Sequence, residues 1–179
     1  DVGRHTRAFI QVQNGCDHDC TFCVIQLARG PSRSRTVAEV LREVERHCEV
    51  GGREAVLSGV GLGSWGDDLP GQPKLGDLVS AILEAIPELP RLRLSSLDGI
   101  EIDPLLFELI ASEKRVMPHL HLSLQSGDDL ILKRMKRRHS RRDAVSLVEA
   151  LKSRRPDIAI GADLIAGFPT ESEAAHANS

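Results

Sequence analysis

The chain has 179 residues, 41% of them hydrophobic and 27% charged, with a formal net charge of −3. That is an ordinary globular composition, long enough to bury a core in one domain, and the charge does not announce a nucleic-acid binder. No apolar run approaches the ~20 residues of a membrane span, and four cysteines are too sparse for a disulfide framework. Asp1-Val2-Gly3-Arg4-His5 lacks a charged-then-apolar leader, which predicts a cytoplasmic protein, and both ends read as cuts from a longer chain.

Residues 8–13 alternate apolar and polar side chains and read as a strand, broken by Asn14-Gly15. Cys16-Asp17-His18-Asp19-Cys20-Thr21-Phe22-Cys23 follows at its C-terminal end, where open α/β sheets and barrels carry their ligands. Thiolates are soft ligands that select iron–sulfur clusters, zinc or copper(I). Three of them can hold three irons of a four-iron cluster and leave the fourth open to a substrate or cofactor. Structural zinc is the competing reading. It asks for four ligands, and the spare candidates are His18 and Cys48. Inert thiols are the third.

Arg29-Gly30-Pro31-Ser32-Arg33-Ser34-Arg35 is a basic turn. Thr36 and Glu39 then form a capping box, and Val37, Val40, Leu41, Val44 and Cys48 share one helical face, which makes Cys48 a small core residue. Gly51-Gly52 ends that helix. Residues 54–58 make the second strand, and 59–66 are its glycine-rich exit, with glycines that let backbone approach a ligand closely. The loop lacks the Lys-Ser/Thr ending of a nucleotide-triphosphate loop, and its spacing does not match the dinucleotide fingerprint. Leu75 to Ile86 is the second amphipathic helix, 91–97 the third strand, and Asp103-Pro104 opens a third helix.

Residues 119–127 form the fourth strand, with His119 and His121 on one face; they could pair on a metal, but no third ligand is visible, and they read as hydrogen-bonding barrel residues. Residues 133–142 carry seven basic side chains, either a solvated face or a patch that meets phosphates. Ser140 and Asp143 start another helix, and 158–165 is a fifth strand with its exit at 166–171. Strand then helix, five times over, predicts a parallel sheet with right-handed crossovers, doubly wound or curled toward a barrel. The cysteine loop, the glycine loop, Ser95-Ser96, Gln125-Ser126-Gly127 and Gly167-Phe168-Pro169 all gather at one rim.

A CxxxCxxC loop after the first strand of a βα array, with Phe22 before its last cysteine, resembles the radical S-adenosylmethionine superfamily. Gln13-Asn14-Gly15-Cys16, Ala28-Arg29-Gly30, Ser34-Arg35, 119–127, Leu132-Lys133-Arg134-Met135 and Asp163-Leu164-Ile165-Ala166-Gly167-Phe168-Pro169 look like its methylthiotransferase family. Residues 57–66 and 93–97 look most like the MtaB-type branch, which acts on threonylcarbamoyl-adenosine in tRNA. The other branches act on isopentenyl-adenosine in tRNA or on a ribosomal-protein aspartate.

The resemblance implies an α/β fold, a partial (βα)6 radical SAM barrel with parallel strands, truncated after the fifth strand. The whole of 1–179 would be the core domain, with an N-terminal auxiliary-cluster domain and a C-terminal TRAM domain outside it. It implies that Cys16, Cys20 and Cys23 bind a [4Fe-4S] cluster and that S-adenosylmethionine chelates the open iron. A 5'-deoxyadenosyl radical would then remove hydrogen from carbon-2 of the adenine beside the anticodon, where a methylthio group is installed. The cofactor carries that hard step and the protein orients it. Phe22, Ser58, Gly59, Ser123, Gln125, Gly167, Phe168 and Pro169 would contact the cofactor. The tRNA anticodon loop and an electron donor of flavodoxin or ferredoxin type would be the partners, with a second [4Fe-4S] cluster only in the full-length protein. Gln26 stands where the family usually has proline, and Thr170 where it usually has glycine. A zinc-stabilised RNA-binding module without catalysis is the reading from a different class.

Overall fold

The computed structural model describes residues 7–179. Five parallel strands form its frame: β1 (Arg7–Gln11), β4 (Glu54–Ser58), β5 (Arg91–Leu94), β6 (His119–Gln125) and β7 (Ala159–Leu164). β1, β4 and β5 pair in that order, and β6 pairs with β7. Isolated bridges between Leu92 and Val116 and between Leu97 and Leu122 join the two sheets. The spatial order therefore follows the chain order, and each crossover carries a helix. That is the expected βα array, curled where the ladder thins between β5 and β6.

The helices start where the residue chemistry places them. Thr36 caps α2 (Val37–Glu49) in a reciprocal box with Glu39. Asp103 accepts from the Leu106 N–H and Pro104 opens α4 (Pro104–Ser112). Ser140 and Asp143 repeat the box at α6 (Arg141–Arg154). Such caps satisfy N–H groups that a helix start leaves orphaned, each worth roughly 1 kcal/mol. Between α2 and α4 lies α3 (Leu75–Ala85).

Alternation along the strands separates two faces. Ile10, Ala55, Leu57, Leu92, Leu94, Leu120 and Leu122 join α2, α3, α4 and α6 in one core. Burying each large aliphatic side chain contributes roughly 1.5–3 kcal/mol. The residues between them, including Glu54, Arg91, Arg93, His119 and His121, line the opposite face of the sheet. There Arg7, Arg91 and Arg93 converge on the buried carboxylate of Glu54. His121 lies 3.1 Å from Asp163, and burial, then the charges of Arg93 and His121, push His119 down. Cys48 packs against the core, as its helical face predicts.

Several local expectations need correction. The first strand does not run unbroken from 8 to 13. It leaves its parallel ladder at Val12, and β2 (Gln13–Asn14) pairs antiparallel with β3 (Arg33–Ser34). A short helix, α1 (Ile25–Arg29), follows the last loop cysteine, and another, α5 (Asp129–Arg134), takes up the start of the basic run. α7 (Glu173–Ala177) closes the described chain. No helix among the described residues is long and apolar enough to cross a membrane.

Candidate metal and cofactor centre

The cysteine loop is held at both ends and across its middle. Gly15 has φ 76, the left-handed region that favours glycine, and a Cβ there would lie 1.9 Å from the Pro31 carbonyl oxygen. This close approach lets the Cys16 N–H donate to Gly30 O at 3.1 Å. The Ser32 N–H donates to Asp17 Oδ1 at 3.0 Å, and the Cys23 N–H to Cys20 O at 3.1 Å. On the far side, Thr21 donates from its backbone to Met135 O and from its hydroxyl to Arg134 O. Lys136 meets Asp19 at 2.5 Å, and Arg137 donates to the Cys20 sulfur at 3.7 Å.

All four cysteines are free thiols. Cys16, Cys20 and Cys23 open onto one pocket of about 200 Å³ at the strand ends, whose wall also includes His18, Phe22, Gly61, Ser96, Asp98, Glu101, Ser123, Gln125 and Arg137. Gln125 has φ 70, costly for a non-glycine residue, and the β6–β7 register shifts between Leu122 and Gln125. A strained residue beside an irregular ladder is a common way to re-aim a side chain at a site.

Two sulfurs receive N–H donors, since the His18 amide also donates to Cys16 Sγ at 3.4 Å. Burial pushes the Cys16 thiol up. The His18 amide opposes this, and the charges of Cys20, Cys23 and Glu101 reinforce it. Beside the sulfurs, Glu101 Oε1 lies 2.8 Å from His18 Nε2, 2.7 Å from Arg138 Nη2 and 2.9 Å from Ser64 Oγ. Burial would raise the Glu101 carboxyl, but these partners outweigh it and hold it low.

The donor set, soft thiols on one loop, fits an iron–sulfur cage. Among the described residues, donors of His18, Asp98 and Glu101 also lie mutually within 4.8 Å. Arg138 bridges both carboxylates of that acidic group, so its charge is already countered by the protein.

Of the residues named from sequence, the structure gathers Cys16, Cys20, Cys23, Phe22, Ser123 and Gln125 around the pocket. Ser58 and Gly59 directly precede its lining residues Val60 and Gly61 without lining it themselves. Ser58 Oγ donates to Ile10 O, and a Cβ on Gly59 would lie 2.8 Å from Gln13 Oε1. Gly167, Phe168 and Pro169 do not line this pocket. Phe168 packs on Ile131, Met135 and Ala175, and the Gly167 N–H donates to Glu171. Sequence reasoning missed Asp98, Glu101, Arg137 and His18 as wall residues. The basic run was the available signal, read there as a solvated or phosphate-facing patch. Most of the run is exposed, while Arg134, Lys136, Arg137 and Arg138 also pair with the protein itself.

The family model described as the radical SAM superfamily matches residues 10–177. The chain belongs to the radical SAM superfamily. With that membership comes S-adenosylmethionine as a cofactor. The chain is 52% identical to the threonylcarbamoyladenosine tRNA methylthiotransferase MtaB of Rickettsia prowazekii (strain Madrid E), over 93% of this chain and 40% of that protein. It is 40% identical to a tRNA-2-methylthio-N(6)-dimethylallyladenosine synthase of Agrobacterium fabrum, over 95% of this chain and 38% of that protein. The chain thus spans about 40% of the length of these relatives. Among solved structures, the radical S-adenosylmethionine methyltransferase TsrM of Kitasatospora setae, with cobalamin and a [4Fe-4S] cluster bound, superposes with a TM-score of 0.74 at 19% identity. That match covers 93% of this chain and 32% of TsrM. It establishes the barrel fold and nothing about substrate.

Proposed function

We propose that Cys16, Cys20 and Cys23 hold three irons of a [4Fe-4S] cluster, and that S-adenosylmethionine docks on the fourth within the pocket they share with Phe22, Ser123 and Gln125. Such a cluster, once reduced by an electron donor, would supply the one-electron chemistry that cleaves the sulfonium of S-adenosylmethionine. The chain's own residues position and shield. The backbone of Gly61 and the side chains of Ser123 and Gln125 offer polar contacts on one wall, and Phe22, Ile25, Val60 and Leu62 present apolar surface to it. Such a wall keeps water from a reactive species and holds its target at close range. Ser58, Gly59, Gly167, Phe168 and Pro169 act at one remove, shaping the loops that flank the site.

The substrate we propose is N6-threonylcarbamoyladenosine next to the tRNA anticodon, methylthiolated at carbon-2. The single observation that carries this is the convergence of three free thiols from one loop on a pocket at the strand ends, in a chain 52% identical to an MtaB. A base in an anticodon loop is the least costly to unstack. A cytoplasmic setting and an electron donor of flavodoxin or ferredoxin type go with that chemistry. Methylthiolation also needs the auxiliary cluster that the resemblance places outside these residues. This segment alone should therefore cleave S-adenosylmethionine without completing the transfer.

Mass spectrometry of tRNA nucleosides from a strain lacking the full-length gene tests the substrate. Loss of the methylthio form of threonylcarbamoyladenosine supports the proposal. Loss of methylthio-isopentenyladenosine alone assigns the other tRNA branch. Unchanged tRNA, with a ribosomal-protein aspartate left unmodified, moves the substrate to protein.

A further inference from the structure

The guanidinium of Arg137 lies against the cluster loop in a way the motif does not require. Its side chain is 6% exposed. Nη2 donates to the Ser123 carbonyl and pairs with Asp98, itself 9% exposed. Nη1 points at the Cys20 sulfur, 3.7 Å away. A planar fork held by two acceptors cannot swing away as a lysine would. The neighbouring residues hold the loop in the same place, through Lys136 on Asp19 and Thr21 on Met135.

We propose that Arg137 is a fixed hydrogen-bond donor to the Cys20 ligand sulfur and raises the reduction potential of the cluster. Asp98 is its positioning residue. The inference rests on the reading above that Cys20 is a cluster ligand.

The physical reason is charge. One electron entering a cluster adds negative charge that spreads onto the ligand sulfurs. A donor and a buried positive charge at one of those sulfurs stabilise the reduced form more than the oxidised form. Hydrogen bonds to sulfur and burial are among the terms that set cluster potentials. Little water intervenes at a side chain this buried, so the interaction is weakly screened. Asp98 offsets part of the charge without competing for the sulfur-facing nitrogen, because it engages Nη2.

The test is a potentiometric titration of the anaerobically reconstituted protein, following the electron paramagnetic resonance signal of the reduced cluster, with iron measured in parallel. Arg137→Met, which keeps bulk and removes donor and charge, should retain iron yet lower the one-electron reduction constant at least tenfold. That corresponds to a fall of about 59 mV. A variant with full iron and an unchanged or higher potential overturns the proposal. Should Arg137→Met fail to take up iron, Arg137→Lys decides. It keeps the charge for Asp98 but loses the fork, so a potential below the parent's supports the proposal and an equal one refutes it. A parent that forms no cluster at all fails earlier and differently, by refuting the cluster reading itself.

Discussion

The side-chain oxygen of Gln13 accepts a hydrogen bond from the Gly61 N–H at 2.9 Å. The other end of the same amide donates to Gly15 O and to Ser32 Oγ, each at 2.8 Å. One fully buried glutamine thus ties together the start of the cysteine loop, the basic turn and the glycine-rich loop. Gln13→Leu would strand buried polar partners, each worth about 1–3 kcal/mol. The expected result is a loss of about 3 kcal/mol in denaturant unfolding, with iron released faster to a chelator. Unfolding can be followed through the single tryptophan, Trp65, which is fully buried.

Glu54 carries its carboxylate beneath three guanidiniums, and its side chain is 7% exposed. Burial would raise its carboxyl, but hydrogen bonds from Arg93 and Arg91 and the charges of Arg93 and Arg7 prevail and hold it below its ordinary 4.5. A depressed carboxylate contributes stability that is fully present above its unfolded value and lost as pH falls through the folded one. Stability should therefore drop on acidification below about pH 4.5. Glu54→Gln should cost about 3 kcal/mol at neutral pH by leaving the guanidiniums uncompensated, and should flatten that acid-side slope. Urea titrations at several pH values check both.

Thr170 adopts φ 71, which costs a non-glycine residue about 1–2 kcal/mol. Arg134 holds it there, donating to its hydroxyl at 2.7 Å and its carbonyl at 3.1 Å. This is the position where the methylthiotransferase pattern usually has glycine. Thr170→Gly should gain up to about 1 kcal/mol in thermal unfolding, since it relieves the backbone and forfeits one exposed hydrogen bond.

Gly15 gives the opposite expectation. A methyl there meets the Pro31 carbonyl at 1.9 Å on a backbone already at φ 76. Gly15→Ala should keep the core folded, because the clash lies in the loop, yet fail to retain iron. Circular dichroism and an iron assay separate the two effects.

The fold was legible because its signals are local. Period-two strands, capping boxes at Thr36 and Ser140 and the Asp103-Pro104 start need no distant partner. That the three loop cysteines sit together at the strand ends was legible from their spacing and place after the first strand. The break at Val12 was not, because it depends on Arg33–Ser34 returning to pair with Gln13–Asn14. The wall residues Asp98 and Glu101 were hidden for the same reason. Their role comes from Arg137 and Arg138, about 40 positions later. A run of positive charge shows its presence in sequence but not its partners, and here Asp19, Asp98 and Glu101 pair with Lys136, Arg137 and Arg138 within it. Gly167-Phe168-Pro169 lies outside the cysteine pocket, with Phe168 packed on Ile131, Met135 and Ala175.

The central claim is that the sulfurs of Cys16, Cys20 and Cys23 grip an iron–sulfur cage on which S-adenosylmethionine is cleaved. The most direct measurement is anaerobic reconstitution with iron and sulfide, followed by an iron count and assay of 5'-deoxyadenosine after reduction. About four irons per chain and brown colour, with product formation abolished by serine at any of the three positions and retained in Cys48→Ser, is the predicted result. A colourless chain holding one zinc, or deoxyadenosine release that survives the loss of one of those three sulfurs, would contradict it.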